Sequence, residues 1–247
     1  MENREIKALY MGWHESDPQQ WVPIQRISWD GEGNYYHSYT EGFEANYEKL
    51  RSMIFNPDAG YKKVWHLKQL SPKLINRAPH REDSLKLYDL LGIPEAKAKR
   101  DTIAYLSRAE GIAHNDQFDY FPEVTPNENG SYEFYFLLLG MASLVRDGVS
   151  EVKEFADKLT GDEKLTIAVE QNQTKVFCGQ LHVGHCPDYI HFFLTSCAVK
   201  SVKLSIEQIN EDPYYGGRIL VKCGIKPSVS GHLYSHPLLQ PLNEMVC

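Results

Sequence analysis

The first forty residues constrain the fold most, because strand-forming runs alternate there with turn-forming residues. Runs rich in aromatic and β-branched side chains cover residues 8–13, 21–29 and 34–40. An Asp-Gly sequence at Asp30 separates the second run from the third. Such runs favour β-strands, and Asp-Gly sequences between strands are typical of hairpins. This part of the chain therefore predicts a β-meander.

The second half of the chain returns to a strand pattern after a helix-compatible stretch. Strands are predicted at residues 118–122, 132–140, 164–169, 175–183, 199–209 and 218–223. Short helices are predicted at residues 41–50, 83–92, 95–109, 149–159 and 189–194. Asp83 suits the N-cap of the second helix and Gly92 its C′ position. The predicted fold class is therefore mainly β (α+β) with a few short helices.

The chain has 247 residues, which suits one large domain or two small ones. Pro94 and the charged run 95–100 are typical of a connection between units, so we place a boundary within residues 93–99. The predicted units are a β-rich N-terminal subdomain, 1–95, and a second β unit, 100–226. Residues 227–247, rich in Pro, His and Ser, are predicted to form a surface tail.

Charge and cysteine content limit the function and the cellular location. The net charge is −7, from 26 basic and 33 acidic side chains, which counts against broad non-specific nucleic-acid binding. It does not exclude a small basic pocket. The five cysteines include no CxxC pair, and no signal peptide or membrane span is readable. These features predict reduced thiols in a cytoplasmic protein that does not enter a membrane.

Histidine and cysteine residues cluster at His182, His185, Cys186 and His191. His182 and His185 straddle a Val-Gly step near the end of a predicted strand, so their side chains should point to opposite faces. Zinc ligands must converge, so the sequence predicts no metal site here. Cys186 has no third residue to position a base, and an inert thiol is the favoured interpretation. The sequence predicts no catalytic centre and no cofactor.

Basic and aromatic residues alternate at residues 61–68, where Lys62 and Lys63 lie close to Trp65. Lysines beside aromatic rings can bind a nucleic-acid strand through phosphate contacts and base stacking. The alternative is lysine stems lying over packed aromatic residues, and the sequence favours that alternative.

Three segments, residues 132–140, 159–165 and 183–190, resemble the HIRAN domain family in their order and spacing. With residues 10–40, 206–210 and 240–242, the chain is similar over most of its length to the stand-alone bacterial form. The resemblance implies that the second unit is an OB-like β-barrel. It also implies a surface that grips the 3′ end of single-stranded DNA.

The residues that match the family's DNA-end motif are Glu170, Asn172, Val183, Gly184 and His185. The family's Tyr-Asp pair is missing, because residues 172–176 read Asn-Gln-Thr-Lys-Val. By resemblance, the DNA contacts would come from Asn172, Lys175 and His185.

Two functions follow from these observations. The first is a non-catalytic, single-stranded nucleic-acid-binding accessory protein in DNA processing or anti-phage defence. The second is a protein-interaction subunit of a larger complex that has lost the DNA-end site. The acidic balance and the missing Tyr-Asp pair favour the second, and the resemblance and the lysine patch favour the first. A hydrolase or nuclease on this fold is the least supported class.

Overall fold

The computed structural model describes residues 6–16, 19–30, 32, 34–53, 62, 64–68, 84–93, 102–109, 117–212, 214, 216–228 and 232–242. The strands are β1 Ile6–Ser16, β2 Gln19–Trp29, β3 Tyr35–Tyr39, β4 Trp65–Leu67, β5 Phe118–Val124, β6 Tyr132–Leu137, β7 Leu165–Val169, β8 Thr174–Cys178, β9 Leu181–His185, β10 Val199–Ile209 and β11 Ile219–Pro227. The α-helices are α1 Glu41–Ala45, α2 Tyr47–Leu50, α3 Ser84–Leu90, α4 Thr102–Leu106, α5 Met141–Arg146, α6 Ser150–Asp157 and α7 Asp188–Ser196. Short 3₁₀ helices follow α2, at Arg51–Met53, and near the C-terminus, at Leu233–Ser235 and Pro237–Leu239. None of the helices in these ranges is long and apolar enough to cross a membrane.

The strands form three antiparallel sheets, with orders β4-β3-β2-β1-β5, β10-β11-β6 and β7-β8-β9. The predicted class, mainly β with a few helices, is confirmed. The predicted meander is also confirmed, because β1, β2 and β3 pair in sequence order. A short strand, β4, which was not predicted, extends this first sheet beside β3.

Strand β5 comes after the predicted boundary in the sequence, but it is the last strand of the first sheet. It pairs with β1, so that Asp119 faces Gly12 and Phe121 faces Tyr10. The two strands are separated by about a hundred residues of chain, which explains why local patterns did not pair them. Most of the predicted boundary lies outside the described residues, and its position stays a prediction.

Strand β1 is buried on both faces, and each face belongs to a different hydrophobic core. Leu9 and Met11 of β1 pack in a core with Tyr88 and Ile103, from the helical segment between the sheets. Between them in sequence, Tyr10 points to the other face and packs with residues of the second half. Alternating side chains of one strand therefore serve two cores. β1 lies at the junction of the two halves of the molecule.

Phe121 of β5 is the centre of the aromatic core on the second face. It is fully buried. Its ring centroid lies 5.1 Å from Tyr10, 5.4 Å from Trp21 and 5.2 Å from Tyr189 of α7. Aromatic pairs at these separations stabilise a core beyond the area that they bury. This cluster joins the first sheet to α7, the helix that forms one wall of the candidate site.

The single strand predicted at residues 175–183 is wrong, because the structure forms two strands there, β8 and β9. Gly179 has a φ of +60° and starts a two-residue turn between Cys178 and Leu181. Left-handed backbone at that position is readily adopted by glycine. The Gly-Gln dipeptide is a weak turn signal between two apolar runs, so the pattern suggested a continuous strand.

The other predicted elements agree with the structure apart from their ends, except that the helix predicted at 41–50 is divided into α1 and α2, and residues 95–101 of another predicted helix lie outside the described residues. α3 ends at Leu90, and Gly92 follows it with a φ of +60°, which confirms its predicted C′ position. Asp83, the predicted N-cap, lies outside the described residues. α5 was not predicted, and it starts directly after Gly140, whose φ is +80°.

The described part of the predicted surface tail, residues 232–242, buries several of its side chains against the rest of the protein. Leu233, Tyr234 and Leu239 are buried. The Tyr234 hydroxyl donates a hydrogen bond to the carbonyl of Pro122 at 2.7 Å and accepts one from the amide of Val124 at 3.0 Å. Burial of a few apolar residues outweighs the Pro- and His-rich composition, and the segment is fastened to β5.

Replacing Tyr234 with Phe is expected to lower the free energy of unfolding by about 1–3 kcal/mol, because it leaves a buried backbone amide without its acceptor. Urea unfolding followed by circular dichroism measures this change. Tyr214→Phe is the matched control, since Tyr214 is 83% exposed and should change stability by less than about 0.5 kcal/mol. Equal stability of Tyr234→Phe and wild type would contradict the role given to this hydroxyl.

Candidate functional site

A pocket of about 190 Å³ opens where the first sheet meets α7 and the turn between β7 and β8. Its wall combines polar groups with aromatic rings. The lining residues are His14, Trp21, Gln171, Asn172, Asp188, His191, Phe192, Thr195 and Ser196. A pocket that mixes apolar walls with a few converging polar groups is the usual form of a ligand site.

His14 lies between two carboxylates at the edge of this pocket. Its Nε2 contacts Oδ2 of Asp119, and its Nδ1 lies 3.2 Å from Oδ2 of Asp188. The three residues come from β1, β5 and the first turn of α7. One potential ligand atom from each lies within 4.8 Å of the others, so this group could hold a metal ion.

The two carboxylates determine the charge of His14. Burial lowers the pKa of His14, but the hydrogen bonds and negative charges of Asp119 and Asp188 raise it further, to about 9 from the usual 6.5. His14 is therefore an imidazolium ion at neutral pH. The group of three then carries a net charge of −1 when both carboxyl groups are ionised.

Trp21 forms the aromatic wall of the pocket, and Gly12 makes room for it. A Cβ atom at Gly12 would lie 2.4 Å from the indole ring, so a larger residue would displace the tryptophan. The indole lies 5.3 Å from the ring of Phe192, measured between centroids. Its Nε1 is buried and has no hydrogen-bond partner in the described part of the chain. Nε1 is among the atoms that would lie 2.4 Å from a Cβ at Gly12, so it faces that part of β1.

Asn172 is the one residue predicted to contact DNA that lines the pocket. It lies in the turn between β7 and β8. Lys175 and His185 are directly opposite each other in the β8–β9 ladder, so the structure brings these two predicted residues together on one face. The Lys175 ammonium group lies 2.8 Å from Oε1 of Glu170, and the two form an ion pair.

The opposite orientation predicted for His182 and His185 is wrong. His182 faces Phe177 and His185 faces Lys175, and those partners are two residues apart on the same side of β8. A bulge at Val183 adds one residue to β9 and brings both histidines to one face. The His182 ring and the Gly184 carbonyl oxygen are 2.9 Å apart. The one group of potential metal ligands found among the described residues is the one around His14.

The lysine patch predicted at residues 61–68 is separate from the pocket lining. Lys62 is exposed and forms an ion pair with Glu44 at 2.7 Å. Trp65 packs edge-on against Tyr39, with ring centroids 5.2 Å apart. A contact of Lys62 with nucleic acid stays a prediction. Lys63 lies outside the described residues.

Two cysteines other than Cys186 have thiols whose pKa is raised by burial. Burial raises the pKa of Cys197 to about 11 and that of Cys223 to about 12. Thiolates are the reactive form of cysteine, so burial disfavours the reactive form of these two side chains at neutral pH.

Sequence reasoning missed His14, Asp119 and Trp21 as site residues. His14 and Asp119 are 105 positions apart and belong to no local motif. The only signal in the sequence is a polar residue at the end of each of two strand-forming runs. Their convergence depends on the pairing of β1 with β5 and could not be predicted from spacing.

No protein-family model, curated protein or solved structure matches this chain.

The stability that His14 provides is expected to depend on pH. Because the pKa of His14 is higher in the folded protein, its charged form stabilises the fold fully below about pH 6.5, and this contribution is lost as the pH rises through about 9. The free energy of unfolding of wild type should exceed that of His14→Gln by about 1–3 kcal/mol at pH 6 and by much less at pH 9.5. Urea unfolding at the two pH values measures the difference.

His232→Gln serves as the control, since His232 is exposed. Its free energy of unfolding should equal that of wild type at both pH values. A gap between wild type and His14→Gln that stays constant or grows with pH would contradict the imidazolium assignment.

Proposed function

We propose that this chain is a non-catalytic binding protein that holds the unpaired end of a nucleic-acid strand in the pocket beside Asn172. The observation that carries the proposal is the position of Asn172. This residue was selected from the matched DNA-end motif alone, and it lines a pocket with Trp21 and Phe192. We place the protein in the cytoplasm, as an accessory factor in DNA processing or anti-phage defence.

The chemistry of the pocket suits one unpaired nucleotide. Trp21 and Phe192 offer aromatic surface, on which a base can stack or pack. The side-chain amides of Gln171 and Asn172 can donate to and accept from a base edge or a sugar hydroxyl. A volume of about 190 Å³ accommodates a base but not a duplex end.

The arrangement of the second and third sheets supports an OB-like barrel as part of this proposal. The β7-β8-β9 sheet is an antiparallel meander, and a single β-bridge between His185 and Leu139 connects it to the chain that leaves β6. Gly184 makes this contact possible, since a Cβ there would lie 2.4 Å from the Leu139 carbonyl oxygen. OB-like barrels bind strands along one open face, next to such loops.

Electrostatics predicts that binding is weak. Lys175 and Lys62 are each held by a glutamate, so a phosphate must compete with Glu170 or Glu44 for the lysine. The net charge of −7 also opposes association with a polyanion. Binding should therefore depend on the pocket more than on phosphate contacts.

The same ion pairs favour the second candidate, a protein-interaction subunit that has lost the DNA-end site. β7 is an edge strand, and Val169 at its end is 48% exposed. An exposed edge can accept a strand or loop from another protein. In this case the pocket would not bind nucleic acid.

Short oligonucleotides, unblocked or blocked at the 3′ end, test the proposal by fluorescence anisotropy. We expect weak binding at low salt that favours unblocked single strands over duplex. With two or three phosphate contacts, log affinity should fall with log salt with a slope of about −1.4 to −2.1. Asn172→Ala and Lys175→Ala should each weaken binding several-fold.

The matched controls are Asn129→Ala, in an exposed turn, and Lys158→Ala, an exposed lysine paired with Glu154. Both should bind as wild type does. Absence of binding at every salt concentration would overturn the nucleic-acid proposal and leave the protein-interaction subunit. Tight binding at physiological salt that is unaffected by Asn172→Ala would show that the binding site lies on another surface.

A further inference from the structure

The binding of a nucleotide does not require the cluster of His14, Asp119 and Asp188. Two carboxylates flank one imidazole, and the three donor atoms lie within 4.8 Å of one another. The cluster has two carboxylates for one imidazole, so its net charge is negative and favours a cation as the ligand.

Three separate elements hold the donors in place. His14 belongs to β1 and Asp119 to the edge strand β5, and the two strands pair in a five-stranded sheet. Asp188 lies in the first turn of α7, whose Tyr189 and Phe193 are packed in the core. Side chains on rigid elements lose little entropy when they bind an ion.

The donors are partly shielded but remain accessible. The side chains of His14, Asp119 and Asp188 are 30%, 17% and 26% exposed. His14 and Asp188 also line the pocket, which provides an entry path. Partial burial strengthens the attraction between carboxylates and a cation relative to bulk water.

We propose that His14, Asp119 and Asp188 form a binding site for a divalent metal ion of the Mn²⁺ to Zn²⁺ series. An imidazole nitrogen among carboxylate oxygens suits these ions, whereas Mg²⁺ and Ca²⁺ prefer oxygen ligands alone. This inference does not depend on nucleic-acid binding.

The contacts of the His14 ring assign different roles to the two carboxylates. Nε2 faces Asp119, so these two groups would ligate the ion directly, and the proton on Nε2 would leave to solvent. Nδ1 faces Asp188, which would orient the ring by accepting its N–H. A carboxylate in that position is common behind metal-bound histidines.

Electron paramagnetic resonance of Mn²⁺ titrated into the chelator-treated full chain tests the site. We expect saturation at one tightly bound Mn²⁺ per chain, with Zn²⁺ displacing it. Asp119→Asn should abolish binding at the wild-type saturating concentration. Asp188→Asn should weaken it by about 10–100-fold, as expected for a group that orients a ligand.

Asp162→Asn is the matched control, since Asp162 is an exposed acid that does not line the pocket. It should bind Mn²⁺ as wild type does. Absence of saturable binding to wild type, or equal affinity of Asp119→Asn and Asp162→Asn, would overturn the proposal.

A thermal-shift measurement on wild type keeps the test decisive if Asp119→Asn fails to fold. At 100 times the dissociation constant, a ligand that binds only the folded state adds about 2.7 kcal/mol of stability, so Mn²⁺ should raise the melting temperature by several degrees. His14→Gln should lose this shift. A melting temperature that does not respond to Mn²⁺ would contradict the site.

Discussion

The pairing of β5 with β1 is the contact on which the rest of the structure depends. It inserts a strand from the second half of the chain into the sheet made by the first forty residues. Because Tyr10 and Leu9 then point into different cores, β1 is buried on both faces. The buried Tyr234 hydroxyl bonds the backbone of β5 and fastens the C-terminal segment to the same strand.

The candidate site is a consequence of that pairing. Asp119 reaches His14 only because β5 lies beside β1, and the Phe121 cluster brings α7 and its Asp188 to the same edge. The pocket then combines an imidazolium ion, two carboxylates and an aromatic wall. The proposed metal site and the proposed nucleotide site share this wall but depend on different residues, so the experiments on each can be interpreted separately.

Local signals predicted those parts of the fold that local chemistry determines. The Asp-Gly turn and the aromatic runs predicted the meander, and Gly92 predicted the end of α3. The turn at Gly179 and the bulge at Val183 were not predicted, since either residue is also compatible with a continuous strand. The convergence of His14 and Asp119 was beyond local reasoning, because it depends on a pairing across 105 positions. The family resemblance predicts that Asn172 contacts DNA. Because this residue lines the pocket, the predicted contact can be tested there.

The central claim is that β1 and β5 belong to one cooperative unit, despite the division of the chain that its sequence pattern predicts. Hydrogen exchange measured by mass spectrometry at increasing urea concentrations tests it directly, using peptides that cover β1 and β5–β6. Shared cores predict that both peptides lose protection at the same urea concentration, together with loss of the native circular dichroism signal. Protection of the β5–β6 peptide that persists after β1 has become exchangeable would contradict the claim and show that the two halves fold independently.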